Sequence, residues 1–127
     1  VVLVVDDEAL IRWSLSEALT EAGYTSRLAS CGSEARIVLS SLEHDALVVV
    51  LDMRLPDVND LGLVRHVRRV RPDARIILMS AHVTPEEAAE ARGLCVFAVV
   101  SKPFDVTAMA DLVGQAWAAG TPARKTL

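Results

Sequence analysis

Short apolar runs alternate strictly with segments of helical period along this chain, and few architectures tolerate that pattern. The runs at residues 1–5, 25–29, 46–51, 75–79 and 96–100 read as strands. Each is followed by a stretch whose apolar residues recur every three or four positions. In 9–22 these are Ile11, Leu15, Ala18, Leu19 and Ala22; in 33–42 they are Ala35, Val38, Leu39 and Leu42. In 106–117 they are Met109, Leu112, Val113 and Ala116. Residues 61–70 form the third helix, stopped at Arg71-Pro72 because proline disfavours helix at the residue before it. "TPEEAAEARG" opens the fourth, with Thr84 as N-cap, Pro85 at the first position and Glu87 completing a capping box. Gly23 ends the first helix, and Asp105 caps the last.

Five such units predict an α/β domain with a five-stranded parallel sheet and helices on both faces. Right-handed crossovers make the flavodoxin-like (βα)5 order 2-1-3-4-5 the natural topology. The run 46–51 is rich in β-branched residues without polar alternation, as a strand covered on both faces requires. With 127 residues the chain is expected to be one domain, residues 1–119, followed by a polar tail or start of a linker, residues 120–127. It starts at Val1 without a methionine, which reads as a fragment of a longer polypeptide or a trimmed chain. The longest apolar stretch is about seven residues, against roughly 20 for a membrane span. Neither a membrane segment nor a secretory signal is expected. The net charge of −4 makes no case for direct nucleic-acid binding. Cys31 and Cys95 lack CxxC spacing and read as reduced thiols of a cytoplasmic protein, and His44, His66 and His82 have no metal-site spacing.

In such a sheet, ligands bind beyond the carboxyl ends of the strands. Asp6 and Asp7 follow the first strand, Asp52 the third, Ser80 the fourth, Ser101 and Lys102 the fifth. Each of these has a plain alternative: acids favour a helix N-terminus, and a serine or lysine is common in a loop. Their joint placement at four strand ends is what the plain readings do not explain. Like-charged carboxylates about 4 Å apart repel by roughly 4 kcal/mol per pair at an effective dielectric near 20. Either one stays protonated or a cation sits among them. Hard oxygen ligands in an open cluster suit Mg²⁺. An aspartate beside Mg²⁺ serves as a nucleophile toward phosphorus, with a lysine and a hydroxyl neutralising the remaining oxygens.

The segments "LVVDDE", "VLDMRLP", "ILMSA" and "SKPF" resemble the motifs of bacterial two-component response regulator receiver domains, over roughly residues 1–117. The resemblance implies that Asp52 is the phosphoacceptor. It implies Asp7, Asp52 and the backbone carbonyl of Arg54 as Mg²⁺ ligands, with Asp6 acting through water. Ser80 and Lys102 would stabilise the phosphoryl group, Ser80 as the switch hydroxyl, and Lys102–Pro103 would be a cis peptide, which is plausible only before proline. Implied partners are a sensor histidine kinase or phosphotransfer protein and an attached or separate effector. A homodimer through the fourth helix, fifth strand and fifth helix is a further implication. "IRWSL" resembles receivers attached to sigma-54-dependent transcription activators.

The chain departs from the family at three places. Val99 stands where a Tyr or Phe usually couples the hydroxyl to the surface, Asp60 where a Gly is usual after the acceptor, and Cys95 where a Gly is common before the fifth strand. Trp13 projects from the polar side of the first helix and is a candidate docking residue, against a reading as local packing. Arg65, Arg68 and Arg69, with Arg71 and Arg75 beyond, read as a solvated basic face. Ala88, Ala89 and Ala91 give the fourth helix little to bury, which marks it as the mobile element. Two other functions compete. A haloacid-dehalogenase-type phosphatase needs a second Asp two residues after the nucleophile, where this chain has Arg54. A receiver-like interaction module that is never phosphorylated accommodates Val99 but leaves the acidic set unexplained.

Overall fold

The computed structural model describes residues 1–42 and 44–119. The anticipated polar tail, 120–127, lies outside them. The elements alternate: β1 (Val2–Val5), α1 (Ala9–Glu21), β2 (Ser26–Ala29), α2 (Gly32–Ser41), β3 (Val48–Asp52), α3 (Gly62–Val70), β4 (Arg75–Ser80), α4 (Pro85–Gly93), β5 (Ala98–Ser101) and α5 (Val106–Ala118). All pairings are parallel, in the order β2-β1-β3-β4-β5. Among the described residues, no helix is long and apolar enough to cross a membrane.

Successive residues of a strand face opposite sides of the sheet, so one strand feeds two cores. Val49 and Leu51 of β3 join Leu3, Val5, Ile76 and Leu78 under α2 and α3. Val48 and Val50 join Val2, Val4, Ile77 and Met79 under α1 and α5. Every residue of β3 is buried, including its terminal Asp52. The strand begins two residues later than the apolar run, after the exposed Ala46 and the buried Leu47. β5 also starts late. The turn before it puts Cys95 at φ +57, a left-handed conformation that costs an L-residue about 1 kcal/mol and suits glycine.

α4 is the least embedded helix. Its capping box is formed, with Glu87 N donating to Thr84 Oγ1 and Thr84 N donating to Glu87 Oε1, both at 3.1 Å. Yet Ala91 is its single buried residue. Arginines hold it instead. Arg54 pairs with Glu87, Arg65 with Glu90, and Arg68 Nε donates to the carbonyl of Leu94 at 2.9 Å.

The expected solvated basic face is therefore corrected at two positions. Arg68 also donates to the carbonyls of Pro72, Ala74 and Cys95. Arg71 is 7% exposed and donates to the carbonyls of Leu42 and Asp45. Both are cross-braces for loops whose carbonyls have left the regular ladders, a need that helical periodicity does not register.

Candidate functional site

The carboxyl edge of the sheet gathers the chemistry. β1 ends in a tight turn where Asp6 Oδ1 accepts from Glu8 N at 2.9 Å, so Asp6 turns inward and is fully buried. Asp7, next along, faces outward and is exposed. Asp52 ends β3, its Oδ1 accepting from Arg54 N at 3.1 Å. Carboxylate oxygens of Asp6, Asp7 and Asp52 all lie within 4.8 Å of one another.

Lys102 enters from the end of β5. Its N–H donates to the Ser80 carbonyl at 2.9 Å, and the Lys102–Pro103 peptide is cis. Its ammonium donates to Asp6 Oδ2 at 2.8 Å and Asp52 Oδ2 at 3.0 Å, with Glu8 Oε1 at 3.8 Å. Burial pulls the Lys102 pKa down, but the hydrogen bonds to the two aspartates more than offset it, so the lysine stays charged. Asp52 is shifted upward as well, which for a carboxyl disfavours the charge. Burial raises its pKa, and the bonds from Arg54 N and Lys102 oppose this only in part, with the charge of Asp6 adding to the rise. One lysine against three acids leaves the pocket short of positive charge. Asp7, Asp52 and Asp6 form an all-oxygen donor set open on the Asp7 side, which fits a hard divalent cation that keeps some of its water.

Ser80 is buried at the same edge, but its hydroxyl is engaged locally. It donates to the His82 carbonyl at 2.7 Å and accepts from His82 N at 3.1 Å. Val99 is 43% exposed on β5, away from this cluster.

The side chain of Arg54 leaves the acids for α4. Nη2 lies 2.9 Å from Glu87 Oε2 and 3.1 Å from Oε1, and Nη1 donates to the Asn59 carbonyl. Two residues in the same loop carry roles that the sequence pattern does not signal. The Asp57 carboxylate accepts from Gly32 N at 2.7 Å and Ser33 N at 2.9 Å, capping α2 from 25 positions away. Those bonds hold its pKa below the usual carboxylate value. Val58 packs beside it, and a Cβ on Gly32 would come within 2.6 Å of Val58 Cγ2. Nothing local marks Asp57 as a cap, because the helix it caps precedes it by a whole strand.

Beside Lys102 runs a groove of about 510 Å³ lined by Leu10, Ile11, Ser14, Pro103, Phe104 and Val106. Leu10 is 72% and Trp13 61% exposed at this end of α1. The helical pattern points to Trp13. Leu10 also lies off the buried stripe, but a single leucine there is too ordinary to stand out in a sequence.

A parallel five-stranded sheet with an acidic triad and a lysine at its carboxyl edge defines a class of phosphoryl-handling α/β domain. The receiver domain model of response regulators matches residues 2–114, and the chain belongs to that family. It is 34% identical over 117 residues to the DNA-binding transcriptional regulator NtrC of Rhizobium meliloti (strain 1021), covering 92% of this chain and 24% of that protein. The NtrC of Azospirillum brasilense is 33% identical over 121 residues, covering 95% and 25%. The chain thus spans about a quarter of the length of these relatives. Among solved structures, it resembles the response regulator TrrA of Thermotoga maritima in complex with Mg²⁺-BeF, at 31% identity and a TM-score of 0.75, covering 91% of this chain and 96% of that one. A receiver domain protein of Clostridium thermocellum, at 23% identity, shares the fold with a TM-score of 0.82 over 91% of each chain.

Proposed function

We propose that the chain is a phosphorylation-switched receiver that takes a phosphoryl group on Asp52 from a phosphohistidine of a sensor kinase or phosphotransfer protein. The observation that carries this is the Lys102 ammonium held between Asp52 and Asp6 at the end of a fully buried strand. In the transfer, an Asp52 carboxylate oxygen attacks phosphorus. The new O–P bond forms as the N–P bond breaks, and the electron pair returns to the imidazole nitrogen, which takes up a proton. Attack of water on the same phosphorus later releases inorganic phosphate and restores the carboxylate.

Asp7, Asp52 and the Arg54 carbonyl would hold Mg²⁺ directly, with Asp6 acting through water. When bound, the ion supplies neutralisation of phosphoryl charge. Lys102 neutralises one phosphoryl oxygen while keeping the buried Asp6 in place. Ser80 donates to another once its hydroxyl turns from the His82 carbonyl. The chemistry is confined to the chain's own aspartate.

The α1 groove lined by Leu10, together with the exposed Trp13 one turn further along α1, is the proposed docking surface for the phosphodonor. Similarity to NtrC supports transcriptional regulation through an attached or separate effector. A cytoplasmic location and homodimerisation through α4, β5 and α5 belong to the same proposal. The net charge of −4 supports leaving DNA contact to that effector. A second reading, a receiver-like interaction module that is not phosphorylated, draws on one observation: Val99 stands exposed where the coupling aromatic is usual. Incubation with phosphoramidate and Mg²⁺ followed by intact mass separates the two. One acid-stable, base-labile adduct, absent in Asp52→Asn, is expected. Lack of any adduct with several donors would leave the interaction module.

A further inference from the structure

The side chain of Arg54 connects the Asp52 loop to α4. Its own N–H holds Asp52 Oδ1, while its guanidinium grips both oxygens of Glu87. Glu87 in turn accepts from Thr84 N, at the cap that starts α4. Three residues therefore join the acceptor carboxylate to the first turn of the helix with the least apolar anchorage. The other two arginines near α4, Arg65 and Arg68, come from α3: Arg65 pairs with Glu90 beyond the first turn, and Arg68 donates to the carbonyls of Leu94 and Cys95, just after the helix ends. Val99, facing solvent, offers no aromatic route between the same two places.

From this geometry we infer that Arg54 is a positioning residue with two alternative partners, Glu87 in the unphosphorylated state and the Asp52 phosphoryl group after transfer. The inference rests on Asp52 being the phosphoacceptor. Transfer replaces a carboxylate of one negative charge by a group carrying about two and three acceptor oxygens. Arginine binds such a group bidentately and more strongly than it binds an exposed carboxylate. The guanidinium side chain is 44% exposed and that of Glu87 20%, so the existing bridge is a weak one that a nearby dianion can displace. When Arg54 turns, Glu87 keeps its capping bond but loses its tie to the loop, and the first turn of α4 is freed while Arg65 holds its later part and Arg68 the segment just after it.

Glu87→Gln isolates the bridge, because glutamine also completes a capping box but carries no charge. Backbone hydrogen exchange of α4 is measured with and without phosphoramidate, with phosphorylation scored by intact mass on the same samples. In the wild type, phosphorylation should speed exchange in the first turn of α4 by roughly two- to fivefold, the range an exposed ion pair controls. Glu87→Gln should show that faster exchange before phosphorylation and no further rise after it, with full adduct formation. Glu90→Gln should loosen α4 equally in both states. A Glu87→Gln protein whose α4 responds to phosphorylation as the wild type does would overturn the inference alone. Absence of any adduct on the wild type would overturn the phosphoacceptor assignment, and this inference with it.

Discussion

Asp52 is a carboxylate that its surroundings make uncomfortable. Burial raises its pKa above the ordinary 3.8, and the neighbouring Asp6 adds to this. The sign of the linkage follows. The folded state binds this proton more tightly than the unfolded chain, so the cost is full above the folded pKa and is relieved as pH falls toward 3.8. Asp52→Asn removes that cost, and at pH 7 without metal its Tm is expected to rise by a few degrees. Added Mg²⁺ should then raise the wild-type Tm in proportion to ligand binding and move the variant much less. Thermal scans of both proteins with and without the ion decide it; an Asp52→Asn variant less stable than wild type would contradict the argument. His66, on α3, shows the opposite shift. Burial, then Arg36 and Arg69, depress its pKa below 6.5, so its contribution to stability is present above that value and fades as pH falls.

Among the elements, the contrast between α3 and α4 is the one with consequences. α3 buries Leu63, Val64 and Val67, and α4 buries Ala91 alone. At about 25 cal/mol per Å² of apolar surface, that difference amounts to several kcal/mol of local anchorage. Amide exchange in α4 is expected to run at least about tenfold faster than in α3. Equal protection would show that the arginine contacts replace the missing apolar ones in full. α2 has a different weakness. Gly32→Ala would push a methyl to within 2.6 Å of Val58 Cγ2 and 3.1 Å of Asp57 Oδ1. The expected cost is about 1–3 kcal/mol in denaturant unfolding, with Asp57 drawn off its capping bonds. The sequence pattern makes the capping box of α4 and the caps at Gly23 and Asp105 legible, because each acts within a few residues of its helix. Asp57, Arg68 and Arg71 are not legible in the same way. Each has bonds that reach across 24 to 29 positions, and no local period encodes such a reach.

For the whole molecule, the sheet order and its two cores are readable from alternation alone, since five βα units with right-handed crossovers leave few arrangements. The convergence of Asp6, Asp52 and Lys102 follows from that topology, and their bond lengths do not. The outer surface is the least legible. Leu10, which lines the groove that reaches Lys102, and Trp13, one turn further along α1, stand exposed on a domain that keeps most of its large apolar residues inside. Trp13→Ala together with Leu10→Ala is expected to slow phosphotransfer from the partner kinase by about tenfold or more while leaving phosphorylation by phosphoramidate intact. Equal rates from the kinase would place docking elsewhere.

The segment between β3 and α3 answers to three masters: Arg54 N steadies Asp52, the Arg54 side chain reaches α4, and Asp57 caps α2. Anyone wishing to open this chain, to permute it or graft in a reporter, should keep out of residues 53–60. The turn around Gly23 is the better seam, with open space where a side chain would go and one positive backbone angle that suits glycine and should be kept.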